Sequence, residues 1–188
     1  MNISGELIAR ARRGDEEAFR LIFERYTRPL ISFVFYMVGR REAAEELAQE
    51  TFLRAYKSIA SLREDSNLSS WLFGIARNVA REWLRERGRE PRRVEMDDPA
   101  VAALRDGSAS PAGKLLDKEL GAAVGAALGS LDEEKRLVFV LKVYQQRSYE
   151  EICEITGFSL PKVRNDLHRA RAEMRRRLRR YVGENDEV

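Results

Sequence analysis

The chain has 188 residues and a mass of 21.7 kDa, room for one mid-sized domain or two small ones. Charged residues make up 35%, but 34 basic against 31 acidic groups leave a net of only +3, so any nucleic-acid signal must lie in how charge is distributed. One cysteine, Cys153, excludes an internal disulfide, and with a single histidine it makes no zinc site. No apolar run approaches the roughly 20 residues of a membrane span, so a cytoplasmic chain without membrane insertion, metal or cofactor is expected.

Residues 1–90 read as a run of helices. Asp15 leads into Ala18, Phe19, Ile22, Phe23 and Tyr26, an apolar stripe at three- and four-residue spacing. Pro29 is positioned to bend or interrupt it before Leu30, Ile31, Phe33, Val34, Phe35 and Met37 run to Gly39. A further helix is expected from about Arg41 to Leu62. The wheel puts Ala44, Ala48, Thr51, Phe52, Ala55, Ile59 and Leu62 on one side and Glu46, Gln49, Glu50, Leu53 and Lys57 on the other. Leu53 is thereby stranded among polar groups, either as an ordinary exposed leucine or as the centre of a partner surface.

Residues 63–69 read as a polar loop, followed by a helix from about Ser70 to Arg87 with Leu72, Ile75, Ala76, Val79 and Trp83 inward. Arg77, Arg81 and Arg85 align on its opposite face. An arginine row is ordinarily a solvated face; Trp71 at the helix entrance raises the nucleic-acid alternative. From Pro91 to Pro111 the composition is that of a linker, with room for a helical turn over Val101 to Leu104. The fold class expected is all-α: two small helical domains (1–90 and 115–182), a linker at 91–114 and an acidic tail at 183–188.

Leu115 to Leu128 suits another helix, and Ser130-Leu131-Asp132-Glu133 has the form of a capping box opening the next, through Leu137, Val138 and Leu141. Ser148-Tyr149-Glu150-Glu151 repeats the device for a helix of little more than two turns, with Ile152 and Ile155 inward. Gly157 supplies a sharp exit, Ser159 can cap the following helix and Pro161 sits in its first turn. The spacing is that of a tri-helical helix-turn-helix. Residues 162–181 hold nine Arg or Lys against Asp166 and Glu173, a local net of +7, whereas 94–130 carry a net of −3.

In the last helix Val163, Leu167, Ala170, Met174 and Leu178 form the inward stripe, with Asn165, His168, Arg169, Ala172 and Arg176 opposite and Lys162 near the edge. That face suits a major groove, flanked by Arg164, Arg171 and Arg175 for phosphates. The plainer reading is a solvated basic helix or a surface for an acidic protein. Asp166 falls beside Glu173, away from the Arg164 flank, placed to pair with a neighbouring helix or to accept from a cytosine amine.

With these residues in place, the sequence resembles the small two-domain RNA polymerase sigma factors of the extracytoplasmic-function group. The carboxyl-terminal signature stands at 131–178, with LHRAR at 167–171 its most specific piece; the amino-terminal signature stands as DEEAFRLIFERYTRPL at 15–30, REAAEELAQETFLRAYKSI at 41–59 and SSWLFGIARNVAREWLR at 69–85. The resemblance implies a transcription initiation factor, not an enzyme, with core RNA polymerase, promoter DNA and an anti-sigma factor as partners. It assigns polymerase binding to Glu46, Gln49, Glu50 and Leu53. Single-stranded −10 recognition would fall to Asn67, Trp71, Arg77, Asn78 and Arg81, and duplex −35 recognition to Lys162, Arg164, Asn165, His168, Arg169 and Arg171. Two positions depart from the family pattern: many relatives have a small residue where Pro161 stands and an arginine where Asp166 stands.

Two other classes fit the residues less well. A polymerase-independent helix-turn-helix regulator would need a ligand or phosphoacceptor site within residues 1–90, and no candidate for one is visible. A nuclease would need clustered acidic metal ligands or an activated nucleophile. Neither accompanies His168 or any other residue.

Overall fold

A computed structural model describes residues 5–63, 67–87 and 111–181, the stretch 111–118 by its backbone alone. The described residues form helices α1 (Gly5–Arg12), α2 (Glu16–Val38), α3 (Arg41–Ser58), α4 (Leu68–Glu86), α5 (Pro111–Ser130), α6 (Glu133–Phe139), α7 (Tyr149–Thr156) and α8 (Leu160–Leu178). The all-α expectation is met by two helix clusters, α1–α4 and α5–α8. The stretch Val101 to Leu104 and the acidic tail lie outside the described residues, and α5 starts four residues ahead of the expected Leu115.

Asp15 opens α2 as expected: its carboxylate accepts from the Ala18 amide at 3.1 Å and from Arg10 Nε at 2.7 Å. Pro29 does not interrupt α2, which runs through it for 23 residues to Gly39, whose φ of 80° ends the helix and whose N–H donates to Phe35 O. The first half of α2 is one-sided, burying Ala18, Ile22, Tyr26 and Leu30, but from Phe33 to Val38 every residue is buried. A helix segment apolar all round must be covered all round. Phe33 meets Phe73 of α4 edge-on at 5.2 Å, while Tyr36 stacks at 3.9 Å on Tyr144, which follows α6.

The wheel for α3 is correct on both sides, with Ala44, Ala48, Thr51, Phe52, Ala55, Ile59 and Leu62 buried and Leu53 56% exposed. In contrast, α4 begins at Leu68 rather than Ser70, because Asn67 Oδ1 accepts from the amides of Ser69 and Ser70. Phe73, Ala80 and Leu84 join its buried stripe. Trp83, expected in the core, is only half-buried; it packs against the core's edge with the Arg87 guanidinium 4.7 Å from its ring.

The first expected capping box does not form, and the helix cap lies two residues further on. Ser130 Oγ donates back to Ala127 O, ending α5, and the cap of α6 is Asp132, which accepts from the Lys135 amide at 2.9 Å. The chain leaves α6 through a π-turn over Val140–Tyr144, and Gln146 has a φ of 53°. The second box forms in full: the Glu151 amide donates to Ser148 Oγ, and the Ser148 amide donates to the Glu151 carboxylate. Gly157, at φ 72°, then turns the chain from α7 into α8.

Arg136 in α6 is buried, 2% exposed. Its guanidinium donates to Leu128 O, Gly129 O and Leu131 O at the end of α5 and to Met37 O in the last turn of α2. Carbonyls at helix carboxyl ends carry partial negative charge and lack intrahelical donors, which makes them suitable hosts for a buried cation. The two helix clusters thus share one continuous apolar core across the α2–α6 and α4–α7 contacts.

Candidate nucleic-acid and polymerase interfaces

The recognition helix presents the face that the wheel assigns to it. Val163, Leu167, Ala170 and Met174 are buried, and Arg164, Asn165, His168, Arg169 and Arg171 are exposed. Among the described residues, Arg164, Arg169 and Arg171 enter no ion pair, whereas Arg176 and Arg177 are held by Glu173. The hydrogen bonds from Arg176, then that from Arg177, lower the pKa of the Glu173 carboxyl to about 2. Pro161 fits the first turn, and Ser159 makes no side-chain capping bond.

Lys162 and Asp166 form a unit of their own. Asp166 is 7% exposed, turned inward rather than toward a groove, and accepts from Lys162 Nζ at 2.7 Å. The same ammonium reaches Glu134 of α6 at 2.8 Å and lies 4.6 Å from the centre of the Phe158 ring. The hydrogen bond to Asp166, then that to Glu134, raise the Lys162 pKa. Of the six candidate duplex contacts, Lys162 is thus the one already occupied by protein carboxylates.

A second cluster lies where α4 faces α7. Asn67 is engaged through its side-chain oxygen in capping α4, Trp71 is half-buried, and Asn78 and Arg81 are exposed. Arg77 is half-buried; its Nη1 donates to Ile155 O at 2.8 Å and to Thr156 O at 2.6 Å, and its Nε and Nη2 donate to Asn78 Oδ1. Burial, then the neighbouring charge of Arg81, lower its pKa. Arg81 pairs with Glu133 of α6 at 2.9 Å. A cavity of about 710 Å³ opens between the two clusters, lined by Asn67, Ser70, Trp71, Arg77 and Asn78 from one side and Glu154 and Gly157 from the other. The buried Ser70 Oγ has no hydrogen-bond partner there.

Only one member of the Arg77, Arg81 and Arg85 row, then, is a plain solvated residue. The sequence signalled the row by its spacing, but not its partners, since Arg77 and Thr156 are 79 residues apart.

On α3, Glu46 and Gln49 are exposed, and Glu50 accepts from Arg54 Nε at 2.7 Å. Arg54 also reaches Glu82 of α4 at 2.8 Å, so this part of the polar face is fastened to the next helix. Leu53 has apolar company that the sequence reading missed: Tyr56, one turn on, is 48% exposed and meets Phe19 edge-on, and Phe23 of α2 is 39% exposed and packs on Phe52. The signal lay in the α2 stripe, where Phe19 and Phe23 extend it beyond what one contact line can bury.

Comparison with known proteins finds matches over both helix clusters. Sigma-70 region 2 matches residues 22–90, and Sigma-70 region 4 matches residues 122–174. The RNA polymerase sigma-H factor of Pseudomonas aeruginosa is 32% identical over 172 residues, covering 88% of this chain and 89% of its own. The ECF RNA polymerase sigma-E factor of Escherichia coli K12 is 32% identical over 170 residues, covering 88% of each. Among solved structures, CnrH in complex with the cytosolic domain of CnrY superposes with a TM-score of 0.72 at 24% identity, over 95% of this chain and 98% of that one. The sigma factor RpoE from Bartonella quintana, in complex with the anti-sigma factor NepR, gives 0.65 at 24% identity, over 86% and 96%. A helix-turn-helix with a free arginine face, preceded by a helical unit matching region 2 and related over most of its length to such proteins, belongs to the extracytoplasmic-function group of RNA polymerase sigma factors.

Proposed function

We propose that this sigma factor, a recognition subunit without chemistry of its own, divides its work among the three surfaces described above. The exposed polar and apolar face of α3, with Glu46, Gln49, Glu50 and Leu53, binds core RNA polymerase. The entrance and outer face of α4, with Asn67, Trp71, Arg77, Asn78 and Arg81, take the non-template strand of the −10 element and assist melting; an aromatic surface beside an arginine track suits bases removed from the stack. The exposed face of α8 reads the −35 duplex, Arg164 and Arg171 positioning it on phosphates while Asn165, His168 and Arg169 meet base edges.

The observation that carries this reading is the face of α8, where three arginines without ion pairs flank Asn165 and His168 on a helix whose other side is buried. The match of residues 22–90 to Sigma-70 region 2 supports this reading over a polymerase-independent regulator, which would need a ligand or phosphoacceptor site in that segment. An anti-sigma partner belongs to the same proposal, on the strength of the NepR complex of the Bartonella protein. Run-off transcription with core enzyme on a genomic promoter library tests the reading. Promoter-specific initiation dependent on the added chain is expected; unchanged initiation, with no co-purification with core, would overturn it.

A further inference from the structure

Tyr149, the first residue of α7, is half-buried and carries cations from two other parts of the chain against its ring. The Lys142 ammonium lies 4.6 Å from the ring centre, and the Arg164 guanidinium, in the second turn of α8, lies 5.7 Å from it. Lys142 is anchored besides, since its Nζ donates to Arg147 O at 3.0 Å. Arg164 is exposed and makes no ion pair or hydrogen bond among the described residues, so the ring is what holds it. Glu150, next along α7, has its carboxyl lowered first by its own backbone amide and the Ser148 hydroxyl; the charges of Lys142 and Arg164 add to this without forming an ion pair.

We infer that Tyr149 is a positioning residue for Arg164, its ring holding the guanidinium where the −35 duplex presents a phosphate. The inference rests on the assignment of Arg164 to phosphates of that duplex. An aromatic face attracts a cation within about 6 Å of the ring centre, and it consumes neither the charge nor the N–H donors. A carboxylate in the same place consumes both. Lys162, two residues earlier, shows that second outcome: Asp166 and Glu134 hold it at 2.7 and 2.8 Å, and its charge is cancelled where it stands. Arg164 is held and still fully charged.

The platform is itself fixed. Tyr149 packs against the core, and the reciprocal bonds between Ser148 and Glu151 pin the turn that carries it. A long side chain gives up rotamer freedom when it meets a phosphate, and a guanidinium already laid against a rigid ring has given up part of that beforehand.

The test measures binding of the holoenzyme to a labelled duplex spanning the strongest promoter found by run-off transcription, with the Tm of each chain recorded alongside. Tyr149→Leu keeps an apolar side chain against the core and removes the ring face. It should weaken binding about two- to fivefold, the range that an exposed cation–π contact of about 0.5–1 kcal/mol converts to. Tyr149→Phe keeps the face and should bind close to wild type. In an Arg164→Ala chain, Tyr149→Leu should cause no further loss, whereas in a Lys142→Met chain its loss should persist.

Wild-type affinity in Tyr149→Leu, an equal loss in Tyr149→Phe, or a loss that survives Arg164→Ala would overturn the inference; the last of these is what a merely structural role of the ring produces. Failure of the phosphate assignment is read separately. Arg164→Ala would then leave the salt slope of binding unchanged instead of lowering it by about 0.9, and the inference would fall with the assignment.

Discussion

Replacing Arg136 by Met tests the claim that a buried cation ties the ends of two helices together. The guanidinium has four backbone carbonyl acceptors at 2.9 to 3.2 Å and is 2% exposed. Each hydrogen bond to a charged group is worth about 1.5–3 kcal/mol, but desolvation of the guanidinium offsets much of the sum. Truncating such a group leaves its buried acceptors without donors at about 1–3 kcal/mol each, partly offset by relief of the guanidinium's desolvation, for a net cost of about 3–5 kcal/mol. For a chain of this size, about 2–4 °C per kcal/mol converts that to a fall in Tm of roughly 6–20 °C. Three of the acceptors belong to α5 and the turn after it, so the α5–α8 cluster should melt first and separate from α1–α4 in a calorimetric scan. Arg136→Lys should recover only part of the loss, since one ammonium cannot reach acceptors on both sides of a planar fork. A loss below roughly 1 kcal/mol for Arg136→Met, with a single unsplit transition, would refute the reasoning.

Arg169→Ala should weaken −35-dependent initiation and lower the salt slope of duplex binding by the holoenzyme by up to about 1 if the residue also touches phosphate, while leaving the Tm unchanged. Leu53→Ala should reduce co-purification with core polymerase and alter stability by no more than about 0.5 kcal/mol, because the side chain is 56% exposed. The Glu173 carboxyl should titrate near 2 by NMR, and Glu173→Gln should flatten the acid limb of stability. Its folded pKa is depressed, so its contribution is present above the unfolded carboxylate value of about 4.3 and is lost as pH falls from there toward about 2.

Much of this was legible in the sequence wherever a local rule had one outcome. The α3 and α8 wheels sorted buried from exposed residues correctly because each helix has one contact line and a polar remainder. The Ser148–Glu151 box and Gly157 were legible because cap chemistry is local. Ser130 misled for the same reason: Ser130 and Asp132 both have capping side chains, and the outcome turned on where α5 ends, which depends on Leu128 and Leu131 being drawn into the core. Phe33 to Val38 reads as merely apolar; that it is enclosed on both sides follows from the docking of α6. Arg77 and Arg136 were beyond reach, since nothing in their spacing marks them as donors to carbonyls 78 and 99 residues away.

The departure at Asp166 bears on what α8 can read. An arginine there would add a cation near the amino end of the helix; the buried aspartate removes one from service, because Lys162 is bound by Asp166 and by Glu134. The ammonium is neutralised twice over and laid against Phe158, fixing the start of α8 to α6 instead of offering it to a groove. Among the described residues of α8, the exposed arginines without an ion pair are Arg164, Arg169, Arg171 and Arg175. Under the proposed reading of the −35 duplex, base discrimination would pass to Asn165, suited to adenine, and Arg169, suited to guanine, with His168 between them. Pro161 would act in the same direction: lacking an N–H, it has no amide to offer a phosphate at the helix entrance, so under the proposed reading the approach of a duplex would depend on side chains further into the helix.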